Sequence, residues 1–272
     1  MASFTFYKYH GAGNDFILFD DRSGNIHPQF DQPAIASLCH RRFGIGADGM
    51  IFLRTHTEHD FEMIYYNADG APSSMCGNGG RCIVRFAADL GLVKNDCSFM
   101  AVDGVHHASL LDNGWVSLGM LPVATVSQDG EARILDTGSP HYVTFSEDPS
   151  SVDVVVKGRS IRNSATYCEE GINVNFLART GPDQLTIATY ERGVEDETLA
   201  CGTGVTAAAI VAATDDEVTV GQAFRYSVRA KGGELAVRGQ RSNEGFTDLW
   251  LEGPAVQVFR GTIEPTKVEV PK

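Results

Sequence analysis

Two cysteines stand in matching surroundings about half the chain apart. Met75 to Cys82 reads MCGNGGRC and Ala200 to Ala207 reads ACGTGVTA, so Cys76 and Cys201 each precede a Gly-x-Gly and an apolar, helix-favouring run. A glycine-rich turn opening a helix leaves the first backbone N–H groups unpaired, and these can hold an anion. A thiol at the same place loses proton affinity, because a helix N-terminus favours the thiolate. A carbon atom held at two such thiols would meet a base on one face and an acid on the other. Removing a proton from one face and returning one to the opposite face is racemisation or epimerisation. If the carbon is the α-carbon of an amino acid, the developing charge spreads onto its carboxylate. The N–H groups of Gly77, Asn78, Gly202 and Thr203 are then the candidate donors to it.

Other chemistries leave weaker traces. A cysteine is usually a buried structural thiol, but two in the same local pattern argue for a task. Eight histidines contain no H-E-x-x-H and no two cysteines have zinc-site spacing, so no metal is expected. A redox protein would use a Cys76–Cys201 disulfide, and an amino-acid-binding module would bind without exchanging the α-proton. The formal charge is −13 with a pI near 5.0, and no Lys/Arg cluster is interleaved with aromatics. Nucleic acid and membrane are therefore not expected partners. The start, MASFTFYKYHGAGND, lacks the basic and apolar regions of a signal peptide, and no apolar window is long enough to span a bilayer. A cytoplasmic location with six reduced thiols is the expectation.

The elements that would position these groups are mostly short strands. FTFYKYH (4–10), the turn GAGND and FILFD (16–20) predict a hairpin presenting Asn14. Asp31 can cap a helix with Pro33 in its first turn and Gly44 as its stop. GIGADG (44–49) matches G-x-G-x-x-G but leads into a strand rather than a helix, so no dinucleotide site is expected. FEMIYY (61–66) delivers Asn67 to the loop before Cys76. Cys82, Ile83, Phe86, Ala87 and Leu90 then recur at helical spacing until Gly91. Asp103-Gly104 and Asn113-Gly114 predict tight turns of a meander.

Beyond Leu121-Pro122 a second series of short strands begins, in which the valine-rich run before Gly158 is counted. VTAAAIVAA (205–213) is apolar on every face and must be surrounded by protein, as a sheet wrapped round it would do. The halves can be laid over each other. GAGNDF (11–16) echoes GINVNF (171–176), and Asn67 and Glu191 precede their cysteines by similar distances. A duplicated meander around a central helix is the fold these matches predict.

GNDF, RRFGIGADG, YNADG with MCGNGGRC, GINVNF, and YERGVEDETLACGTG occur in one order over positions 13 to 204. In these motifs the chain resembles the diaminopimelate epimerase family. The resemblance implies an α+β fold of two pseudo-symmetric lobes, each a mainly antiparallel barrel-like sheet around a central helix. It implies a boundary with residues 1–119 plus 260–272 in one lobe and 120–259 in the other, and an active site in the cleft between them. The implied reaction, without cofactor, interconverts L,L- and meso-diaminopimelate for lysine and peptidoglycan synthesis, and a homodimer is implied.

Carried over by motif, Cys76 and Cys201 are the acid/base pair, with Gly77, Asn78, Gly202 and Thr203 cradling the carboxylate. Asn14, Asn67, Asn173 and Arg192 hold the substrate, including its distal end. Glu191 binds the ammonium or assists the thiols, and His141 is an auxiliary histidine. Three departures bear on distal-end specificity rather than on reaction type. Ser139 stands where the family usually has Asn, Gly49 where some members carry a substrate-contacting Gln, and ADGAPSSMC lacks the usual acidic residues. Hydroxyproline epimerases and proline racemases, with His after the first Cys-Gly, fit Asn78 poorly. Phenazine-biosynthesis-like isomerases lack the cysteine pair.

Overall fold

The structure, a computed structural model, describes residues 3–73 and 76–264. The chain divides into two compact units, one running to Leu118 and resuming at Pro254, the other Gly119–Gly253. The return thus comes earlier than the expected 260. Residues 265–272 of that segment, and Ser74 and Met75 before Cys76, lie outside the described residues.

In the first unit β1 (Phe4–Gly11) and β2 (Asn14–Asp20) form the predicted hairpin, closed by left-handed Ala12 and Gly13. α1 (Gln32–Cys39) is capped by Asp31, whose carboxylate accepts from the Ala34 N–H at 3.0 Å. The helix ends before Gly44 because Ile45 and Gly46 donate to the Leu38 carbonyl. A Cβ on Gly44 would lie 2.2 Å from the Ser37 oxygen, so this return past the helix end needs glycine. The crossover through α1 sets β3 (Gly49–Arg54) parallel to β2. β4 (Phe61–Asn67) is antiparallel to β3, and α2 (Gly77–Asp89) carries the chain to β5 (Asp96–Ala101), parallel to β4. β6 (Gly104–Leu110) and β7 (Val116–Gly119) complete the meander.

The second unit repeats this order. After β8 (Ser127–Asp129), β9 (Ala132–Asp136) and β10 (Pro140–Phe145) are antiparallel. α3 (Val154–Arg162) crosses to β11 (Asn173–Gly181), parallel to β10, and β12 (Gln184–Glu191) is antiparallel to β11. β13 (Asp196–Thr198) and α4 (Gly202–Asp215) follow, and β14 (Ala223–Ala230) is parallel to β12. β15 (Gly233–Ser242) and β16 (Gly245–Gly253) close the meander. The last strand, β17 (Val256–Ile263), pairs antiparallel with β1 of the first unit.

Two sequence expectations need correction. The valine-rich run is helix α3, not a strand. Asp153 caps it at the Val156 N–H, 3.0 Å away, and Val154 and Gly158, one turn apart, face inward. Gly158 is required there, since a Cβ would sit 2.3 Å from the Tyr190 side chain. The echo of GAGNDF in GINVNF is also not a topological one. In strand order β2 answers to β10 and β3 to β11, so the counterpart of Asn173 is Gly49, each first in its strand. Asn67 and Glu191 do correspond, as the last residues of β4 and β12.

Each unit is centred on one helix. The inward face of α2, with Cys82, Ile83, Phe86 and Ala87, packs into a cluster containing Tyr9, Phe16, Phe61 and Phe99. α4 is buried from Val205 to Ala213 on all sides, as an all-apolar helix must be.

Candidate active site

Cys76 and Cys201 hold the same place in the two units. Each is the N-cap residue of the central helix, with φ −98° and ψ 131° for Cys76 and φ −100° and ψ 110° for Cys201. Their carbonyls accept the first intrahelical bonds, from Gly80 at 2.7 Å and Val205 at 2.9 Å. Neither thiol caps its helix. Gly77, Asn78, Gly202 and Thr203 thus contribute the first-turn N–H groups of the two helix starts, and the positive end of each helix dipole acts on its sulfur.

Below Cys76 lies a chain of hydrogen bonds built from residues distant in sequence. Arg81, wholly buried, donates to the Gly77 carbonyl at 3.2 Å and to the Asn78 side-chain oxygen at 2.7 Å. The Asn78 amide then donates to the Asn14 oxygen at 2.5 Å, and the Asn14 amide donates to Asp48 at 3.0 Å. Arg81 can only donate and ionised Asp48 can only accept, so both amides are turned one way. Burial lowers the Arg81 pKa to about 10, which leaves it a cation at neutral pH, with Cys82 and Cys76 the titratable groups acting on it.

Asp48 and Asp15 are in turn gripped by Arg41, each at 2.7 Å, and Lys8 pairs with Asp15 at the same distance. Burial alone would raise the Asp15 pKa, but the hydrogen bonds from Arg41 and Lys8 outweigh it and bring it to about 2. Burial pushes the thiols of Cys39 and Cys97 up to about 12, and that of Cys82 higher still, so these are inert core residues.

Gly49 and Asn67 face each other across β3 and β4. No side chain fits at position 49 as the strand stands, because a Cβ would lie 2.5 Å from the Tyr65 ring and 3.1 Å from its hydroxyl. Tyr65 thus fills the space in which a glutamine at position 49 would start.

In the second unit Asn173 uses its amide to tie neighbours together. Its NH2 group donates to Ser139 Oγ at 2.8 Å and to the Pro140 carbonyl at 3.1 Å, and its oxygen accepts from the Arg192 N–H at 2.9 Å. The Arg192 guanidinium donates to the Glu170 carbonyl at 2.9 Å and to Ser139 Oγ at 3.4 Å. Ser139, Asn173 and Arg192 form one network, and both Asn173 N–H groups are spent within it. Glu191 ends β12 beside this network, in register with Asp196 of β13.

Thr203 lies with its hydroxyl 3.4 Å from the Cys201 sulfur, and its carbonyl accepts from Thr137 Oγ1 at 2.9 Å. His141 is wholly buried on β10, not in a loop, and its Nδ1 lies 3.0 Å from the Asn175 amide nitrogen. Burial, aided by the Arg192 charge, lowers the His141 pKa to about 3, so the ring is neutral.

Arg81, Asp48, Tyr65 and Asn175 escaped the sequence reading. Arg81 is the next-to-last residue of the MCGNGGRC motif and could have been suspected as a charge in an inward-facing helix turn. The other three gain their roles from long-range pairing. Among the described residues, no group of three or more His, Cys, Asp or Glu side chains is arranged to hold a metal ion, and no helix is long and apolar enough to cross a membrane.

Solved structures share this architecture. A phenazine biosynthesis protein of the PhzF family from Bacillus anthracis superposes with a TM-score of 0.75 over 97% of this chain and 100% of that one, at 13% identity. A hydroxyproline epimerase from Agrobacterium vitis does so with 0.66 over 96% and 92%, also at 13% identity. The fold is therefore the two-lobed α+β fold of these proteins, here with a cysteine at the N-cap position of each central helix.

Sequence narrows the class. The profile of the diaminopimelate epimerase family matches residues 6–125 and 133–257. The diaminopimelate epimerase of Flavobacterium psychrophilum is 47% identical over 94% of this chain and 99% of its own length, and that of Chlorobaculum tepidum 43% over 93% and 98%. The chain belongs to the diaminopimelate epimerase family.

Proposed function

We infer that the protein is an isomerase that interconverts L,L- and meso-diaminopimelate, a step of lysine and peptidoglycan precursor biosynthesis, with Cys76 and Cys201 as its acid/base pair. The observation that carries the reading is the equivalence of the two cysteines, each at the N-cap of the central helix of its unit with nearly the same backbone angles. One sulfur, as thiolate, takes the α-proton from one face, and the other, as thiol, delivers a proton to the opposite face. In the reverse direction the roles exchange, which two like environments allow. The helix dipoles lower the cost of each thiolate.

As the α-proton leaves, charge moves onto the substrate carboxylate. N–H groups of Gly77, Asn78, Gly202 and Thr203 are placed by the two helix starts to receive it, a contribution of roughly 2.7–4 kcal/mol for a well-placed donor. Asn14 and Asn67 bind the substrate from the first unit, and Arg192 and Glu191 from the second. Ser139 and Asn173 act by holding Arg192, and Gly49 by making room for Tyr65. The protein works in the cytoplasm as a homodimer without nucleic acid. β17 supports the dimer, since Val256, Val258 and Phe259 stand exposed on it.

Solvent-deuterium incorporation tests the reaction. The reduced protein with L,L-diaminopimelate in D2O should yield the meso isomer carrying deuterium at one α-carbon. Exchange with proline or hydroxyproline instead would keep the two-thiol chemistry and replace the substrate. Sedimentation at micromolar concentration tests the dimer, a monomer refuting it.

A further inference from the structure

The buried polar cluster joining β10, β11 and β12 has no part in the reaction as described, yet its hydrogen bonds allow one reading only. Asn175 and His141 are both wholly buried. The Tyr142 carbonyl lies 3.1 Å from the Asn175 amide nitrogen, and a carbonyl can only accept, so this end of the amide is its NH2 group. The Asn175 oxygen, at the other end, accepts from the Thr189 hydroxyl at 3.0 Å. The remaining N–H of the same NH2 group meets His141 Nδ1 at 3.0 Å.

An N–H facing Nδ1 requires a lone pair there, so the ring proton must sit on Nε2. Nε2 is itself buried and makes no hydrogen bond among the described residues. A second ring proton has no acceptor opposite Nδ1. The charged side chain acting on the ring is Arg192, which opposes another positive charge. The cluster also touches the helix start that carries Cys201. A Cβ on Gly204 would lie 2.5 Å from the Asn175 oxygen and 3.4 Å from the Cys201 sulfur.

We propose that Asn175 is a positioning residue that fixes His141 as a neutral donor through Nε2–H, set to hydrogen-bond the carboxylate of the bound amino acid rather than to take a proton. The proposal deepens the reading given above and adds His141 to it, since it rests on an amino-acid substrate being bound at the helix start of Cys201. A buried N–H left without an acceptor is rare in folded proteins, and an arriving carboxylate supplies one. The donor stays constant while the two thiols exchange their proton states.

Long-range 15N–1H correlation of the histidine ring in labelled wild-type protein tests the first part. His141 should show a bare Nδ1 and a protonated Nε2, unchanged between pH 8 and 5. A proton on Nδ1, or an imidazolium within that range, would overturn the proposal. Added diaminopimelate should shift the Nε2–H resonance and leave the tautomer alone, whereas loss of that proton in the complex would make His141 a base and refute the assignment. Asn175→Asp should move the proton to Nδ1 and lower kcat at least tenfold with KM changed less than threefold. Wild-type kcat with the tautomer unmoved would count against it. The wild-type spectrum decides the tautomer whether or not the variant folds, and whether or not diaminopimelate proves to be the substrate.

Discussion

At the scale of single residues, the two thiols and the glycines around them make the sharpest claims. Cys76→Ser and Cys201→Ser each replace an acid of suitable strength by a far weaker one. General acid/base catalysis contributes about 100- to 10,000-fold, so kcat in each variant should fall by at least about 100-fold. Either variant turning over normally in a coupled assay would remove that residue from the mechanism. Gly49→Gln would place a side chain whose first carbon lies 2.5 Å from the Tyr65 ring and 2.6 Å from the Tyr66 carbonyl. Overpacking of this kind costs about 1–3 kcal/mol, and a paired Tyr65→Ala change should recover only part of it in urea unfolding, because the Tyr66 carbonyl, 2.6 Å from the same carbon, stays in place. Equal stabilities of the single and double variants would show that the ring is not the obstacle. Much of this layer was legible in the sequence, because a cysteine before Gly-x-Gly at a helix start is a local pattern. Asp48 and Asn175 were not, because their hydrogen bonds join segments far apart in the chain and leave no local period, whereas Arg81, bonded within its own helix turn, left only a single buried charge as its signal.

The elements show which signals prevailed over propensity. Three valines in a row favour a strand, yet residues 154–162 are helical because Asp153 caps them and Val154 and Gly158 fall on one face against Tyr190. Replacing Asp153 by Ala should destabilise the protein by about 1 kcal/mol, the usual worth of such a cap. A change below measurement in the unfolding midpoint would mean that packing alone holds α3. The central helices α2 and α4 were readable from their periodicity, or from its absence in an apolar run. The repeat was readable only in part. Asn67 and Glu191 correspond in both sequence and structure, but the resemblance of GAGNDF to GINVNF joins a hairpin turn to the strand after a crossover. Short motifs rich in Gly and Asn recur for turn geometry alone, and strand order is needed to tell descent from coincidence.

For the whole molecule, buried charge states set the response to acid. His141 is neutral in the fold down to about 3, because burial and the Arg192 charge disfavour its cation, whereas in the unfolded chain it protonates near about 6.5. Between these values the unfolded chain binds the extra proton, so stability declines as the pH falls through this window and is fully present above it. His141→Gln should show a shallower loss of stability between pH 7 and 5 in urea titrations. Parallel curves for variant and wild type would mean that the imidazole is protonated in the fold. Asp15, held near 2, adds its own loss only below about pH 4, the range in which an unfolded carboxylate takes its proton.

The placement of β17 has a consequence for how the molecule is made. β1 is translated before the Gly119–Gly253 unit, and its antiparallel partner at Val256–Ile263 after it. The Gly119–Gly253 unit is an uninterrupted stretch of chain, so it can fold while the remainder is still being translated. Until β17 has been translated, the first unit waits with one long edge of β1 open, a state prone to pairing with other nascent chains. A message truncated after the Gly253 codon would therefore yield one finished half and one sticky one.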